Sequence, residues 1–236
     1  MPSRDPPPTP QSAPRSDRSA RMVSDNFTFR FAEAEDIPAI RDFVMDAGAG
    51  LFEFILDRAL PGVSARHLIK LAVADPSANL SYRNALVAAD PDHGPAGVAL
   101  CYPAADYGIP AIVESIVPKK RLEPLRHFLT EKLPETLYLN TLAVAPWARG
   151  LALGGTLVDL SLEWARESGY TGLSLHVWEA NEPAVAMYRD RGFETVRRFD
   201  LPEASEFRYA GPIMLMQAPA GVHQPEDSSE TGPGDQ

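Results

Sequence analysis

The stretch over residues 137–193 constrains the fold most, because it contains two strand-then-helix units in succession. Its first part, residues 137–145, is apolar and rich in strand-forming residues, and Pro146 stops it because proline cannot donate to a sheet ladder. Small residues at 149–155 then lead into residues 153–168, where apolar side chains recur at helical spacing. A buried strand, a small-residue loop and a helix are therefore predicted in that order.

The second unit follows the first directly. Residues 173–178 are predicted to form its strand. Asn181 and Pro183 then mark a helix start, because asparagine is a favoured cap and proline suits the first helical turn. The helix is predicted over residues 184–191 and ends at Gly192. The pattern indicates two β-then-α units in tandem.

The loop at residues 149–155 has the properties of an anion-binding site. The N–H groups in the first turn of a helix have no partner within the helix, and the aligned peptide dipoles place partial positive charge there. With no bulky side chains close by, these donors can close around a phosphate or pyrophosphate. The loop lacks the Lys-Ser/Thr ending of a phosphate-binding NTPase loop, so a nucleotide-binding protein is the least favoured function.

Two motifs in this stretch are informative together. The first has a strand ending in Leu-x-Val-x-Pro, then Gln or Arg, two residues, Gly, one residue, and Gly or Ala. It is matched by Leu142, Val144, Pro146, Gly150 and Ala152, with Trp147 at the Gln/Arg position. The second has Asn, a helix with Ala and Tyr, and then Gly-Phe. It is complete at Asn181, Ala184, Tyr188, Gly192 and Phe193. In this order and spacing, the two motifs resemble those of the GNAT superfamily of acyl-CoA-dependent N-acetyltransferases.

The resemblance implies an α/β fold (α+β by some schemes) with a GNAT-like mixed, mostly antiparallel central sheet and helices on both faces. It implies an acetyl-CoA-dependent N-acetyltransferase that moves the acetyl group to a primary amine by direct attack, with acetyl-CoA as co-substrate and no metal. The implied cofactor-binding residues are Leu142, Ala143, Val144, Arg149, Gly150, Leu151, Ala152, Leu153, Gly154, Gly155, Asn181 and Tyr188.

The resemblance also places catalytic groups. Tyr188 stands where the family has a tyrosine aimed at the CoA sulfur, and a phenol can give its proton to the departing thiolate. The family often has Glu in the central strand near Asn140 or Thr141, and neither residue here is a base, so Asn140 is expected at most to position a water. A backbone N–H near Leu142 is expected to stabilise the oxyanion. His176 is one of the remaining candidates for the general base, although a core histidine is the favoured interpretation.

The acceptor is left open by the sequence. It is a small-molecule amine, or a protein N-terminus or lysine. Glu53 and Asp57 are spaced for one helical face and are candidates to bind an ammonium group, although a solvated helix face is the favoured interpretation. The connection over residues 103–135 is expected to cap the acceptor cleft or to form a homodimer interface.

The rest of the chain predicts further elements of the same domain. Strands are predicted over residues 27–32, 85–89, 97–102, 194–199 and 209–216, and helices over residues 36–48, 64–74 and 119–132. The predicted domain covers residues 26–217. The proline-rich residues 1–25 and the acidic residues 218–236 are expected to be disordered tails.

Composition excludes several classes of function. The formal net charge is −10, which argues against nucleic acid as a partner. No apolar run is long enough for a membrane span, and no secretory signal is recognisable, so a cytoplasmic protein is expected. The single cysteine, Cys101, cannot form an intramolecular disulfide, and no Cys/His cluster indicates zinc.

A function from another class also fits the sequence. A noncatalytic acyl-CoA-binding or sensing module would explain the missing acid in the central strand. Tyr188 argues against it, because binding alone needs no phenol at the sulfur.

Overall fold

The computed structural model describes residues 22–24, 27–57 and 59–221. Most of the two predicted tails lies outside these residues. The predicted domain boundaries need small corrections, however. Residues Met22–Ser24 form an edge strand that pairs with the first long strand, and the last strand continues to Pro219, with Ala218 buried. Backbone pairing, which composition does not reveal, extends the domain at both ends.

The core of the molecule is one eight-stranded sheet with the order β1-β2-β3-β4-β5-β6-β8-β7. All neighbouring strands are antiparallel except β5 and β6, which are parallel. The predicted mixed, mostly antiparallel sheet is thus confirmed. The strands are β1 (Met22–Ser24), β2 (Phe27–Phe31), β3 (Ala85–Asp90), β4 (Gly94–Pro103), β5 (Leu137–Val144), β6 (Gly172–Trp178), β7 (Glu194–Phe199) and β8 (Ile213–Pro219).

Eight helices, within the described part of the chain, cover the sheet. They are α1 (Ile37–Ala47), α2 (Leu51–Leu56), α3 (Ala65–Ala74), α4 (Ala111–Ile116), α5 (Lys119–Leu122), α6 (Arg126–Leu129), α7 (Leu153–Glu167) and α8 (Glu182–Arg189). The buried residues of α7 and α8 share one apolar cluster, and those of α1, α2, α3, α5 and α6 share a second cluster. The helices therefore lie on both faces of the sheet, as predicted.

Two predicted elements are wrong in their extent. The helix expected over residues 119–132 is α5 and α6 with a 3-10 turn between them, because Pro124 cannot continue the hydrogen-bond ladder of α5. The strand expected over residues 209–216 begins only at Ile213, after Gly211 and Pro212. Both differences come from proline or glycine residues that interrupt the predicted helix or strand.

Strands β5 and β6 separate soon after they begin. Their parallel pairing consists of Leu137 with Leu173 and Tyr138 with Ser174. Beyond these pairs β5 continues to Val144 alongside β4, and β6 continues alongside β8. The sheet therefore opens into a wedge, and the edge of β5 that faces the wedge has no strand partner there.

A tight corner between α1 and α2 is fastened to the β7–β8 loop. The Arg208 N–H donates to the Ala49 carbonyl at 2.9 Å, and the Arg208 guanidinium pairs with Asp46 at 2.6 Å. Gly50 has a φ of 94°, and a Cβ at this position would lie 1.7 Å from the Glu206 carbonyl oxygen. Only glycine permits this approach, so the corner is held against the loop by backbone contacts.

Candidate active site

The start of α7 presents a run of free backbone donors. Within the described residues, no hydrogen bond engages the amide N–H groups of residues 150–155, and the first intrahelical donor is Thr156, which bonds the Ala152 carbonyl at 3.1 Å. No side chain caps the helix. Six successive amides at the positive end of a fifteen-residue helix form a site suited to a phosphate or pyrophosphate.

The residue that turns the chain into α7 is Ala152. It is the N-cap and has a φ of 60°, in the left-handed region that favours glycine. Ala152 therefore has a backbone conformation that a glycine would adopt more easily at this turn.

Ala152→Gly is expected to stabilise the protein by about 0.5–1 kcal/mol. A left-handed alanine costs about 1–2 kcal/mol, which is partly offset by the larger entropy that glycine loses on folding. Urea unfolding of the variant and the wild type measures the difference. Gly150→Ala is the matched control, because Gly150 has a φ of 83° and alanine should destabilise the protein there. Destabilisation by Ala152→Gly would contradict the prediction.

Strand β5 contains a bulge at Asn140. Leu139 pairs with Cys101 and Thr141 with the adjacent Leu100, so Asn140 has no opposite residue in β4. An extra residue shifts the alternation of side chains by one. As a result Asn140 and Thr141 both border the cavity on the α1–α3 side of the sheet, together with Tyr138.

The side chains at the bulge are hydrogen-bonded to one another. The Asn140 amide donates to the Tyr102 hydroxyl at 3.1 Å, and the Thr141 hydroxyl donates to the Asn140 amide oxygen at 3.0 Å. Burial raises the pKa of Tyr102 well above its usual range, so its hydroxyl stays protonated. Asn140 is therefore held in one orientation by these two hydrogen bonds. Sequence reasoning did not identify Tyr102.

Tyr188 lies on the buried face of α8, on the opposite side of the sheet from the cavity floor. Its side chain is 6% exposed and packs with Leu139 and Val177 in the same apolar cluster, and its ring is 5.4 Å from that of Phe193. Burial raises its pKa above the usual range. The phenol is therefore protonated at neutral pH.

The remaining predicted cofactor-binding residues lie on β5, in the loop before α7 and at the start of α8. Leu142 and Val144 pack against the α7 side of β5, and Ala143 is buried on the other face. Asn181 is the N-cap residue of α8, but its side chain makes no capping hydrogen bond. The capping role expected of asparagine is not realised, so its amide is available to another partner. Arg149 is exposed and lies 3.6 Å from Asp46.

His176 sits among aromatic rings beside the cavity. Its Nδ1 is 3.0 Å from the Tyr138 hydroxyl, whereas its Nε2 is buried and has no hydrogen-bond partner. The rings of Tyr107, Phe128 and Phe199 lie within 5.0 to 5.7 Å of the imidazole. Burial lowers the pKa of His176 to about 3. An imidazole with so low a pKa is only a weak proton acceptor at neutral pH, which favours the interpretation of His176 as a core residue.

The acid stability of the protein should depend on His176. Its pKa is 6.5 when unfolded and about 3 when folded, so only the unfolded chain takes up this proton between those values. The stabilisation is present above pH 6.5 and falls with acidification by about 1.4 kcal/mol per pH unit. Between about pH 7 and pH 4.5, wild type should lose about 2.5 kcal/mol more than His176→Phe in urea unfolding. Equal losses would contradict this assignment.

The two acids proposed for the acceptor do not share a helical face. Helix α2 ends at Leu56, and Asp57 is extended and accepts a hydrogen bond from the Ala65 N–H at 2.8 Å, which fixes the start of α3. Its carbonyl also accepts from Arg121. One oxygen of Glu53 is buried without a partner. Neither side chain is among the described residues that line the cavity at the bulge.

The cavity beside the bulge has a volume of about 900 Å³. Its walls come from the α1–α2 corner, α2, α3 and residues 104–116, and its floor comes from β5 and the end of β6. Part of the 103–135 connection therefore lines the cavity, as the cleft-capping expectation requires. No described group of three or more His, Cys, Asp or Glu residues could hold a metal ion, and no described helix could span a membrane.

Comparison with known proteins identifies the family to which a chain with this fold and this site belongs. The family model described as "Acetyltransferase (GNAT) family" matches residues 76–193, which is half of the chain. The chain therefore belongs to the GNAT acetyltransferase family, and the assignment made from its motifs is confirmed. No curated protein sequence matches the chain.

Solved structures share the fold. One described as an acetyltransferase is 26% identical with a TM-score of 0.54, and the match covers 82% of this chain and 99% of that one. An N-acetyltransferase from Staphylococcus aureus Mu50 is 20% identical with a TM-score of 0.60, covering 80% and 99%. A spermidine N-acetyltransferase from Vibrio cholerae, in complex with CoA and spermine, is 15% identical with a TM-score of 0.53, covering 84% and 97%. The last two show likeness of fold alone.

Proposed function

We propose that this protein transfers an acetyl group from acetyl-CoA to a primary amine by direct attack. The observation that carries the proposal is the run of free amides at residues 150–155, placed at the mouth of the wedge between β5 and β6. The amides would hold the pyrophosphate, and the unpaired edge of β5 at residues 142–144 would pair with the pantetheine arm. The thioester would then reach the bulge at Asn140.

The residues of this chain supply two functions in the transfer. A backbone N–H of β5 near Leu142 would stabilise the oxyanion as the amine nitrogen bonds the thioester carbon. When the carbon–sulfur bond breaks, the Tyr188 hydroxyl would give its proton to the thiolate, and the proton lost by the amine would restore the phenol through solvent. Asn140, held by Tyr102, would position the acceptor or a water.

No ionised base among the described cavity residues stands next to the bulge. The lining acids are Asp75 and Asp106, both exposed, and the pKa of His176 is far below neutrality. The amine would therefore have to lose its proton to water or through desolvation in the cavity.

Calorimetric titration with acetyl-CoA, followed by amine-dependent release of CoA, tests the proposal. Micromolar binding and release of CoA only when an amine is present would support an acetyltransferase. Binding without turnover of any amine would favour the noncatalytic acyl-CoA module. No binding would overturn the cofactor assignment.

A further inference from the structure

The walls of the cavity at the bulge are apolar to an extent that the proposed function does not require. They include Phe52, Leu56 and Val113, with Trp178 at the inner end. At the rim, Leu71 is 55% exposed and Ile112 is 65% exposed, so the apolar surface continues to the entrance. Large apolar side chains that remain exposed around a concave opening mark a ligand-binding site.

The charged residues that line the cavity also restrict which acceptors can bind. Among the described residues that line it there is no Lys or Arg, and the carboxylates are those of Asp75 and Asp106 at the rim. The Asp75 carboxylate is already bonded to the Ser77 N–H and hydroxyl at 2.8 and 2.7 Å. A carboxylate or phosphate on the acceptor would find no partner inside, and burial of an unpaired charge is costly.

The polar groups on the floor are also engaged, apart from the His176 Nε2, which is buried without a hydrogen-bond partner. Asn140 bonds Tyr102, Thr141 bonds Asn140, and Tyr138 bonds His176. They leave few partners for a second ammonium group, so a polyamine would bury a cation without compensation. A single amine on a hydrocarbon body has no second charge to bury, and its one proton is the proton that the reaction itself requires it to lose.

We infer that the acceptor is an apolar primary amine, an alkylamine or arylalkylamine without an acidic group, whose hydrocarbon part fills this cavity. The inference rests on the proposed function, since it assigns the acceptor of that reaction. A volume of about 900 Å³ suits a ligand of drug size rather than a short amino acid. The amine would point toward Asn140 and the hydrocarbon toward α2, α3 and α4.

The test uses two matched pairs of amines with acetyl-CoA, phenethylamine against phenylalanine and octylamine against spermidine, and measures CoA release. Phenethylamine and octylamine should each show kcat/KM at least about 100-fold higher than its charged counterpart, because of the cost of burying an unpaired charge. Equal kcat/KM for the two amines of either pair, or a higher kcat/KM for the amine with the additional charge, overturns the inference.

Two variants locate the effect. Ile112→Glu, at the exposed rim, should raise KM for octylamine by about 10-fold without a matching change in kcat, by placing a charge where hydrocarbon enters. Val196→Glu is the matched control, because Val196 is 49% exposed on β7 and does not line the cavity. Equal effects of the two variants overturn the assignment of the cavity.

The donor acyl group is the other possible source of hydrocarbon. Faster transfer from longer acyl-CoA donors to one small amine, with Ile112→Glu abolishing that preference, overturns the inference in favour of an acyl pocket. If no amine is acetylated, amine binding is measured instead as the rise in the melting temperature of the protein with octylamine and with spermidine. A melting temperature that octylamine does not raise overturns the inference. The melting-temperature measurement needs no acetyl-CoA, so the inference about the amine is tested independently of the proposed function. Failure of acetyl-CoA to bind would overturn the proposed function alone.

Discussion

Gly154→Glu is expected to weaken acetyl-CoA binding by at least about 100-fold. The new carboxylate would stand in the first turn of α7, among the free amides of residues 150–155. Two unit charges about 4 Å apart near a protein surface repel by about 4 kcal/mol, so the pyrophosphate would meet a penalty larger than the expected loss. The carboxylate would also accept hydrogen bonds from the same amides and compete for them.

The variant should fold normally. Gly154 has no positive φ, and a Cβ there would meet only Met187 Sδ and Val144 Cγ2, both at the ordinary distance of 3.6 Å. An acid at a helix N-terminus also stabilises the helix by about 0.3–1 kcal/mol. Gly154→Glu is therefore a cleaner probe than a substitution at Gly150, whose φ of 83° disfavours any side chain.

Gly154→Gln is the matched control, because it adds a side chain of the same size without the charge. Calorimetry with acetyl-CoA should give a dissociation constant for Gly154→Gln within a few-fold of wild type. If the two variants bind acetyl-CoA equally, the amides at the start of α7 do not hold the pyrophosphate. A higher melting temperature of Gly154→Glu without ligand would confirm that lost binding is not lost folding.

The order of elements could be predicted because it depends on local signals. Pro146 and Gly192 end their elements, and the apolar spacing of α7 has the helical period, so each element is determined by residues close in sequence. The same holds for the amides at residues 150–155, which follow from a small-residue loop before a helix. These features required no knowledge of which strands pair.

The features missed by sequence analysis depend on distant partners. The bulge at Asn140 exists because β4 pairs with both Leu139 and Thr141, and a strict two-residue alternation hides it. The left-handed conformation of residue 152 could not be predicted, because the residue there is alanine and not glycine. Asp57 lies outside the helix because its carboxylate accepts a hydrogen bond from the Ala65 N–H. In each case a tertiary contact overrides the local pattern.

The cavity follows from the same long-range geometry. The bulge turns Asn140 and Thr141 to one face, and the corner at Gly50 closes against the β7–β8 loop. Together they enclose apolar side chains that the sequence would place in an ordinary core. The interpretation of His176 as a core histidine is therefore compatible with a place beside a ligand, because its ring packs against Phe128 and also lines the cavity. Trp178 likewise packs against Phe207 and lines the cavity.

Tyr188→Phe is expected to lower kcat by about 100-fold or more while acetyl-CoA affinity changes by less than a few-fold. General acid catalysis contributes about 100-fold to 10,000-fold, and the phenol, whose pKa is raised by burial, is protonated whenever the thiolate leaves. Phenylalanine occupies the same space, and no hydrogen bond of the Tyr188 hydroxyl is present within the described residues, so stability should change little.

Tyr170→Phe is the matched control, because Tyr170 is buried in the same apolar cluster and its hydroxyl has no partner. Its removal should leave both kcat and the affinity for acetyl-CoA unchanged. If Tyr188→Phe keeps more than half of the wild-type kcat, Tyr188 packs in the core and another group protonates the thiolate. Equal, negligible turnover in Tyr188→Phe and wild type, with acetyl-CoA bound by both, would instead favour a protein that binds acyl-CoA without catalysis.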